Sequence, residues 1–269
     1  MSVYFDIEGI ELHSHLFFIL GPCVIEGEKF TLKLAEDLKK ICAEVDVPFI
    51  FKASFDKANR SSLNSYRGPG LKEGLKILKK VKEELNLPVI SDIHEARQAE
   101  AAAEVLSALQ VPAFLSRQTD LLLSAGKTGL PVNVKKGQYM APEDMALVAE
   151  KIKSTGNSKI MLTERGTFFG YRNLVVDFRN IPIMKETGLP VILDVTHSLQ
   201  RPTAAAGVSG GDPRFIPIIA SSGVVSGADG IFMEVHPDPQ QARSDGSSSL
   251  HIKNLKKLLI RLKKLYNID

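Results

Sequence analysis

Eight short apolar runs, each followed by a stretch patterned as a helix, leave this chain very few architectures. The runs are FFILG (17–21), FIFKA (49–53), PVISD (88–92), PAFLS (112–116), PVNVKK (131–136), KIMLTE (159–164), PVILDV (190–195) and GIFMEV (230–235). Apolar runs of this length suit parallel strands buried on both faces. Helical patterns separate them. Glu28 to Val45 places Phe30, Leu34, Leu38, Ile41 and Val45 on one side, and others cover Gly70 to Leu85, Glu95 to Leu106 and Thr119 to Thr128. Pro142-Glu143-Asp144 opens a further helix with a favourable first turn. A less regular crossing runs to about Thr187. A Gly-rich loop then leads to a helix near Pro217, and the last helix carries Leu255, Leu258, Leu259, Leu262 and Leu265. Eight such units in roughly 250 residues predict an α/β chain folded as a closed (β/α)8 (TIM) barrel. A doubly wound open sheet is the alternative. No GxGxxG turn follows the first run and no composition break divides the chain, so one domain over 1–269 is expected. Residues 3–13 alternate about Glu8-Gly9, which predicts a small N-terminal β-hairpin.

The active site of such a barrel forms at the carboxyl ends of its strands. In chain order those positions offer Cys23; Lys52 with Lys57 and Arg60; Asp92; Gln110 and Arg117 on either side of the fourth run; then Lys135, Arg165, His197 and Glu234. Two subsets separate by chemistry. Cys23, His197, Glu234 and, in the following loop, Asp245 supply one sulfur, one imidazole and two carboxylates. That donor set suits a borderline divalent ion such as Zn²⁺, Fe²⁺ or Mn²⁺ better than Ca²⁺ or Mg²⁺. Their spacing carries no signal, but barrel closure would bring strands one, seven and eight together. The plain alternatives are a core thiol at Cys23 and a strand cap at His197. The second subset is cationic: Lys52, Lys57, Arg60, Arg117, Lys135 and Arg165. Such a rim repels itself unless anions bind. Substrates with about five negative charges, for example two phosphoryl groups and a carboxylate, would balance it. A Schiff-base lysine at Lys52 or Lys135 stays open on these residues alone.

Charge narrows the function classes. The net charge of +3 is local, because residues 250–269 hold Lys253, Lys256, Lys257, Arg261, Lys263 and Lys264 against Asp269. A nucleic-acid protein with a broad basic face is therefore not expected. A non-catalytic role for this helix against acidic partners or a membrane surface is the competing reading, and a solvated face is the plain one. The early apolar run Leu16 to Leu20 is far too short to span a bilayer. No Lys or Arg precedes Lys29, so the start lacks the basic region of a signal or transit peptide. Two cysteines make no disulfide framework, and Cys42 joins Leu38, Ile41 and Val45 on a core face. A cytoplasmic enzyme is the expectation.

The ordered blocks GPCVIE (21–26), KASFDKANRSS (52–62), SDIHE (91–95), PAFLSRQTD (112–120), NVKKGQ (133–138), ERGTFFGYRNLVVD (164–177), DVTHS (194–198) and MEVHPDP (233–239) resemble the 3-deoxy-D-manno-octulosonate 8-phosphate synthase family. The resemblance runs from about Phe17 to the end. The sister 3-deoxy-arabino-heptulosonate 7-phosphate synthases share the barrel and the metal set but usually carry KPRTS where this chain has KANRSS. The resemblance implies condensation of phosphoenolpyruvate with D-arabinose 5-phosphate for the lipopolysaccharide inner core. It implies phosphoenolpyruvate against Lys52, Lys57, Gln110, Ala113, Lys135 and Arg165, with Arg117 and Gln138 among the substrate-binding positions. It places the sugar phosphate against Asn59, Arg60 and Ser61, and gives catalytic positions to Lys52, Asp92, Lys135 and His197. Family members with Cys rather than Asn at the position of Cys23 depend on a divalent metal (Zn, Fe, Mn or Co), and the family forms homotetramers. Three departures stand out: Arg214 sits one residue further from Gly210-Gly211 than usual, three serines follow Asp245-Gly246, and Arg172 replaces an Asn.

Overall fold

Sheet closure turns the eight runs into a container. The computed structural model describes residues 5–59, 63–205 and 208–268. It opens with a hairpin of β1 (Asp6–Ile7) and β2 (Ile10–Glu11) about Glu8 and Gly9, both at positive φ. Parallel strands β3 (Phe17–Gly21), β4 (Phe49–Lys52), β5 (Val89–Asp92), β6 (Ala108–Val111), β7 (Val132–Lys135), β8 (Ile160–Glu164) and β9 (Val191–Asp194) follow in sequence. An antiparallel hairpin, β10 (Gln200–Ala205) and β11 (Val208–Gly211), precedes β12 (Gly230–His236), whose edge is extended by β13 (Leu250–His251). Strand β12 pairs with both β3 and β9, closing a (β/α)8 barrel. Helices α1 (Glu28–Val45), α2 (Leu71–Leu85), α3 (Gln98–Ala103), α4 (Thr119–Lys127), α5 (Asp144–Lys153), α6 (Asn180–Lys185), α7 (Ile216–Val225) and α8 (Leu255–Tyr266) occupy the connections and the C-terminus.

Side chains two apart on a strand share a face, and that parity sorts the barrel interior into layers. Phe17, Ile19, Ile50, Ile90, Ala108, Met161, Ile192 and Phe232 form one buried apolar cluster with Ile7 and Leu12, so the N-terminal hairpin plugs the barrel floor. Two positions further along the same strands come Lys52, Asp92, Gln110, Thr163, Asp194 and Glu234. The alternate residues, such as Phe18, Leu20 and Phe51, join Leu34, Leu38 and Cys42 in the larger core under the helices.

Three expectations need correction. The fourth strand is Ala108–Val111, not 112–116: Pro112 has no N–H to continue the ladder, and Ala113–Leu115 forms a 3-10 turn. The helix expected over 95–106 is confined to Gln98–Ala103. The Gly-rich loop after the seventh barrel strand carries the β10–β11 hairpin.

Gly21 ends β3 directly against the backbone of Lys52 in β4. A Cβ there would overlap the Lys52 carbonyl oxygen, a backbone atom that cannot swing aside. Gly21→Ala is predicted to cost about 1–3 kcal/mol through overpacking, read as a lower urea midpoint. An unchanged midpoint would contradict this packing.

Candidate active site and metal centre

Register places the chemistry. Pairing of Glu234 with Gly21 brings the end of β12 beside Cys23, and pairing of Phe232 with Asp194 sets β9 level with it. A cavity of about 1500 Å³ opens at these carboxyl ends. Lys52, Lys57, Asn59, Asp92, Ala113, Lys135, Gln138, Arg165, His197 and Asp245 all line it.

Cys23 Sγ, a carboxylate oxygen of Glu234 and one of Asp245 lie within 4.8 Å of one another. The thiol donates to Asp245 Oδ2 at 3.0 Å and lies 2.7 Å from Ser244 Oγ. Burial pushes the Cys23 thiol well above its ordinary range, and Asp245 and Glu234 push it further. His197 is half-buried; its Nε2 lies 3.6 Å from Glu234 Oε1. Glu234 Oε2 is buried without a hydrogen-bond partner among the described residues. A thiol and two carboxylates within reach of one another, one carboxylate with an unpartnered oxygen, fit a divalent cation, which would also favour the thiolate; His197 stands outside that group of three, beside Glu234 Oε1.

The cations form the other wall. Lys52 Nζ donates to the Cys23 carbonyl at 3.0 Å and to Glu234 Oε1 at 3.2 Å, and lies 3.9 Å from Asp92 Oδ2. Lys57 Nζ lies 4.0 Å from Asp92 and 3.9 Å from Glu234. Burial works against charge on Lys57, yet the carboxylates of Glu234, Asp92 and Asp245 outweigh it and hold the ammonium above its ordinary range. Lys135 Nζ donates to Asp194 Oδ2 at 2.7 Å and stands 3.5 Å above the centroid of the Phe232 ring. Burial draws Lys135 downward, and Asp194 opposes that. Arg165 donates through Nη2 to Gln200 Oε1 at 3.1 Å, while its buried Nη1 has no partner among the described residues. Gln200 Nε2 in turn donates to Asp245 Oδ1 at 3.2 Å.

Asp92 is fixed from beneath. It accepts from Ser54 Oγ and, at 2.5 Å, from Gln110 Nε2. Gln110 Oε1 accepts from Asn133 Nδ2 at 3.0 Å, and Asn133 Oδ1 accepts from Thr163 Oγ1 at 2.7 Å. This buried chain crosses β5 to β8. Burial favours neutral Asp92, but Lys52, Lys57 and Lys135 outweigh it and keep the carboxyl far below its ordinary range.

The structure therefore gathers most of the expected residues but not all. Gln110 is fully buried with both ends of its amide engaged, and it is not part of the cavity lining. Arg117 is exposed and also outside the lining, six residues beyond the end of β6. Arg60 and Ser61 lie outside the described residues. Arg214 reaches the cavity rim but forks onto Asp212 at 2.8 and 2.6 Å. Sequence reasoning passed over Ser244, Asn133, Asp194 and the pair Lys136–Glu164. Lys136 is wholly buried, donates to the carbonyl of Met140 at 3.2 Å and lies 3.5 Å from Glu164 Oε2. Glu164 Oε1 accepts the backbone N–H groups of Arg165 and Gly166, fixing the turn that aims Arg165. A polar residue inside an apolar run was the available signal for each strand residue.

Comparison with known proteins adds an independent finding. Residues 10–268 match the model of the DAHP synthetase I family. The chain is 52% identical over 262 residues to a 2-dehydro-3-deoxyphosphooctonate aldolase of Koribacter versatilis, covering 96% of this chain and 94% of the relative. Proteins of the same name from Desulfatibacillum aliphaticivorans and Geotalea daltonii are 55% identical over 253 residues and 56% over 248. The first match covers 94% of this chain and 93% of the relative, the second 92% and 91%.

A carboxylate whose folded pKa is depressed stabilises the fold fully above its unfolded pKa, about 3.9 for Asp, and loses that contribution as pH falls towards the folded value. Stability from Asp92 and Asp194, both depressed, should therefore be flat near neutrality and fall below about pH 4. Asp92→Asn should be less stable at pH 7 and lose stability less steeply in acid. Equal acid slopes in urea titrations of the two proteins would contradict this.

Proposed function

The chain belongs to the DAHP synthetase I family, and from that premise we propose that it condenses phosphoenolpyruvate with D-arabinose 5-phosphate and water, giving 3-deoxy-D-manno-octulosonate 8-phosphate and inorganic phosphate. It is a carbon–carbon bond-forming transferase, and its product serves the lipopolysaccharide inner core. The observation that carries the reading is the convergence of Lys52, Lys57, Lys135 and Arg165 with His197 and Asp245 on one cavity, with ligand atoms of buried Cys23 and Glu234 within 4.8 Å of that of Asp245. The names of the relatives favour the octulosonate over the heptulosonate reaction.

In the reaction, C3 of phosphoenolpyruvate attacks the aldehyde carbon of the sugar phosphate. Water adds at C2, and the C2–O bond to phosphate then breaks to leave the keto group. The enol ether is a weak nucleophile, so alignment of the reactants supplies much of the rate. We assign Lys135, Arg165, Lys52, Lys57 and Gln138 to phosphoenolpyruvate, with Ala113 shaping the wall. Arg165 Nη1 lacks an acceptor among the described residues, which supports placing an anion there. Asn59, with Arg60 and Ser61 beyond it, would take the sugar phosphate. Asp92 acts by its charge: its bonds to Ser54 and Gln110 and its depressed pKa make it a poor base for water. It keeps Lys57 charged and lies within 4.0 Å of both Lys52 and Lys57, holding them at the anion side. Gln110, in the wall, holds Asp92 rather than the substrate.

We place the chain in the metal-dependent branch, with Cys23, His197, Glu234 and Asp245 as ligands for Zn, Fe, Mn or Co. A divalent ion bound there supplies Lewis acidity and a template at the aldehyde end of the cavity. Among the described residues no helix is long and apolar enough to cross a membrane, and we assign the enzyme to the cytoplasm. A homotetramer would cover exposed Phe114, Tyr139, Phe169 and Tyr171, in loops that follow the adjacent strands β6, β7 and β8.

Phosphate release should require both phosphoenolpyruvate and arabinose 5-phosphate, and erythrose 4-phosphate should turn over more slowly. Faster turnover with erythrose 4-phosphate would reverse the substrate assignment. The purified protein should carry a divalent ion, lose activity on strong chelation and regain it with Mn²⁺ or Zn²⁺. Cys23→Asn should bind the ion at least about 10-fold more weakly. Full wild-type turnover after verified metal removal would exclude the metal assignment.

A further inference from the structure

Asp194 stands between the two halves of the site. Its Oδ2 accepts from Lys135 Nζ at 2.7 Å and lies 2.7 Å from His197 Nδ1. Its Oδ1 accepts the backbone N–H groups of Thr196 at 3.1 Å and His197 at 2.9 Å, which fixes the carboxylate plane. The group is wholly buried. Among the described residues Asp194 is the one acid in ion-pair range of Lys135, whose other close neighbour is the Phe232 ring face. The second nitrogen of His197 points towards Glu234. One oxygen therefore serves both an anion-binding ammonium and a metal-side imidazole.

Building on the functional reading above, we propose that Asp194 is a positioning residue that couples Lys135 to His197, so that phosphoenolpyruvate and the divalent ion bind with positive cooperativity. The charge on Oδ2 is shared between two donors. When an anion engages Lys135, the ammonium leans on that anion and its bond to Asp194 weakens. More of the carboxylate charge then falls on the His197 Nδ1–H, which makes Nε2 a better electron donor. An ion drawing on Nε2 makes Nδ1–H a stronger donor to Asp194, which loosens Lys135 for the anion. Linkage requires the two effects to be equal in size. Gln200 makes a second bridge, from Arg165 to Asp245, but a neutral amide has no net charge to redistribute.

The test is a binding cycle. Zn²⁺ affinity is measured by competition with a chromophoric chelator, with and without saturating phosphoenolpyruvate. Phosphoenolpyruvate affinity is measured by calorimetry, with and without Zn²⁺. In the wild type each ligand should tighten the other by about 10-fold. Asp194→Asn and His197→Ala should each reduce that factor to about twofold or less, with both ligands still binding. Circular dichroism checks the folding of Asp194→Asn. Should that variant not fold, His197→Ala carries the test, because it leaves the Asp194–Lys135 pair intact. A wild-type factor near one overturns the coupling. So does a tenfold factor surviving in the folded variants, which would assign it to direct attraction between ion and anion or to the Gln200 bridge. If wild type binds neither ligand, the functional reading fails first and the coupling with it. If it binds both without cooperativity, only the coupling fails.

Discussion

Charge taken out of water must meet opposite charge, and the mouth of this barrel is organised by that constraint. Lys52, Lys57 and Lys135 are each more than nine-tenths buried, and so are Asp92, Asp194 and Glu234. An isolated buried ion costs several kcal/mol, so the groups interleave: Lys52 sits between Glu234 and Asp92, and Lys135 against Asp194. The pairing still leaves Glu234 Oε2 without a donor and Arg165 Nη1 without an acceptor among the described residues. Those open ends have opposite sign, one suited to a cation and the other to an anion.

Strand parity makes this arrangement compatible with folding. The same strands that put Ile50, Ile90, Ile192 and Phe232 into the apolar floor put Lys52, Asp92, Asp194 and Glu234 two residues higher. The hydrophobic layer, sealed by Ile7 and Leu12 from the hairpin, supplies rigid support, and the polar layer has no separate scaffold. The hydrogen-bond chain from Thr163 through Asn133 and Gln110 to Asp92 ties four strands together at that level. Polar groups in such a chain cost little when every member is satisfied.

Much of this was legible in the sequence. The eight apolar runs marked eight strands, and for seven of them the ends were placed within two residues, which is why Lys52, Asp92, Lys135 and Arg165 reach the cavity. The fourth was misplaced because ALQVPAFL offers two apolar clusters about Pro112, and the strand took the one containing Gln110. That shift moved Gln110 into the wall and left Arg117 outside. In strands buried on both faces no alternation distinguishes inside from outside. Asn133 and Asp194 were therefore passed over inside their runs, although each is a buried hydrogen-bonding group. Ser244 gave no signal, because its contact with Cys23 spans the chain from the first strand-end loop to the last.

One site must take a cation at its thiol–carboxylate side and an anion against its lysines at the same time. Anomalous diffraction from crystals grown with Mn²⁺ and phosphoenolpyruvate tests that directly. The predicted result is a metal peak bounded by Cys23, His197, Glu234 and Asp245, with the phosphoryl and carboxylate groups held by Lys135 and Arg165. Manganese bound away from Cys23, or phosphoenolpyruvate seated outside this cavity, would contradict it.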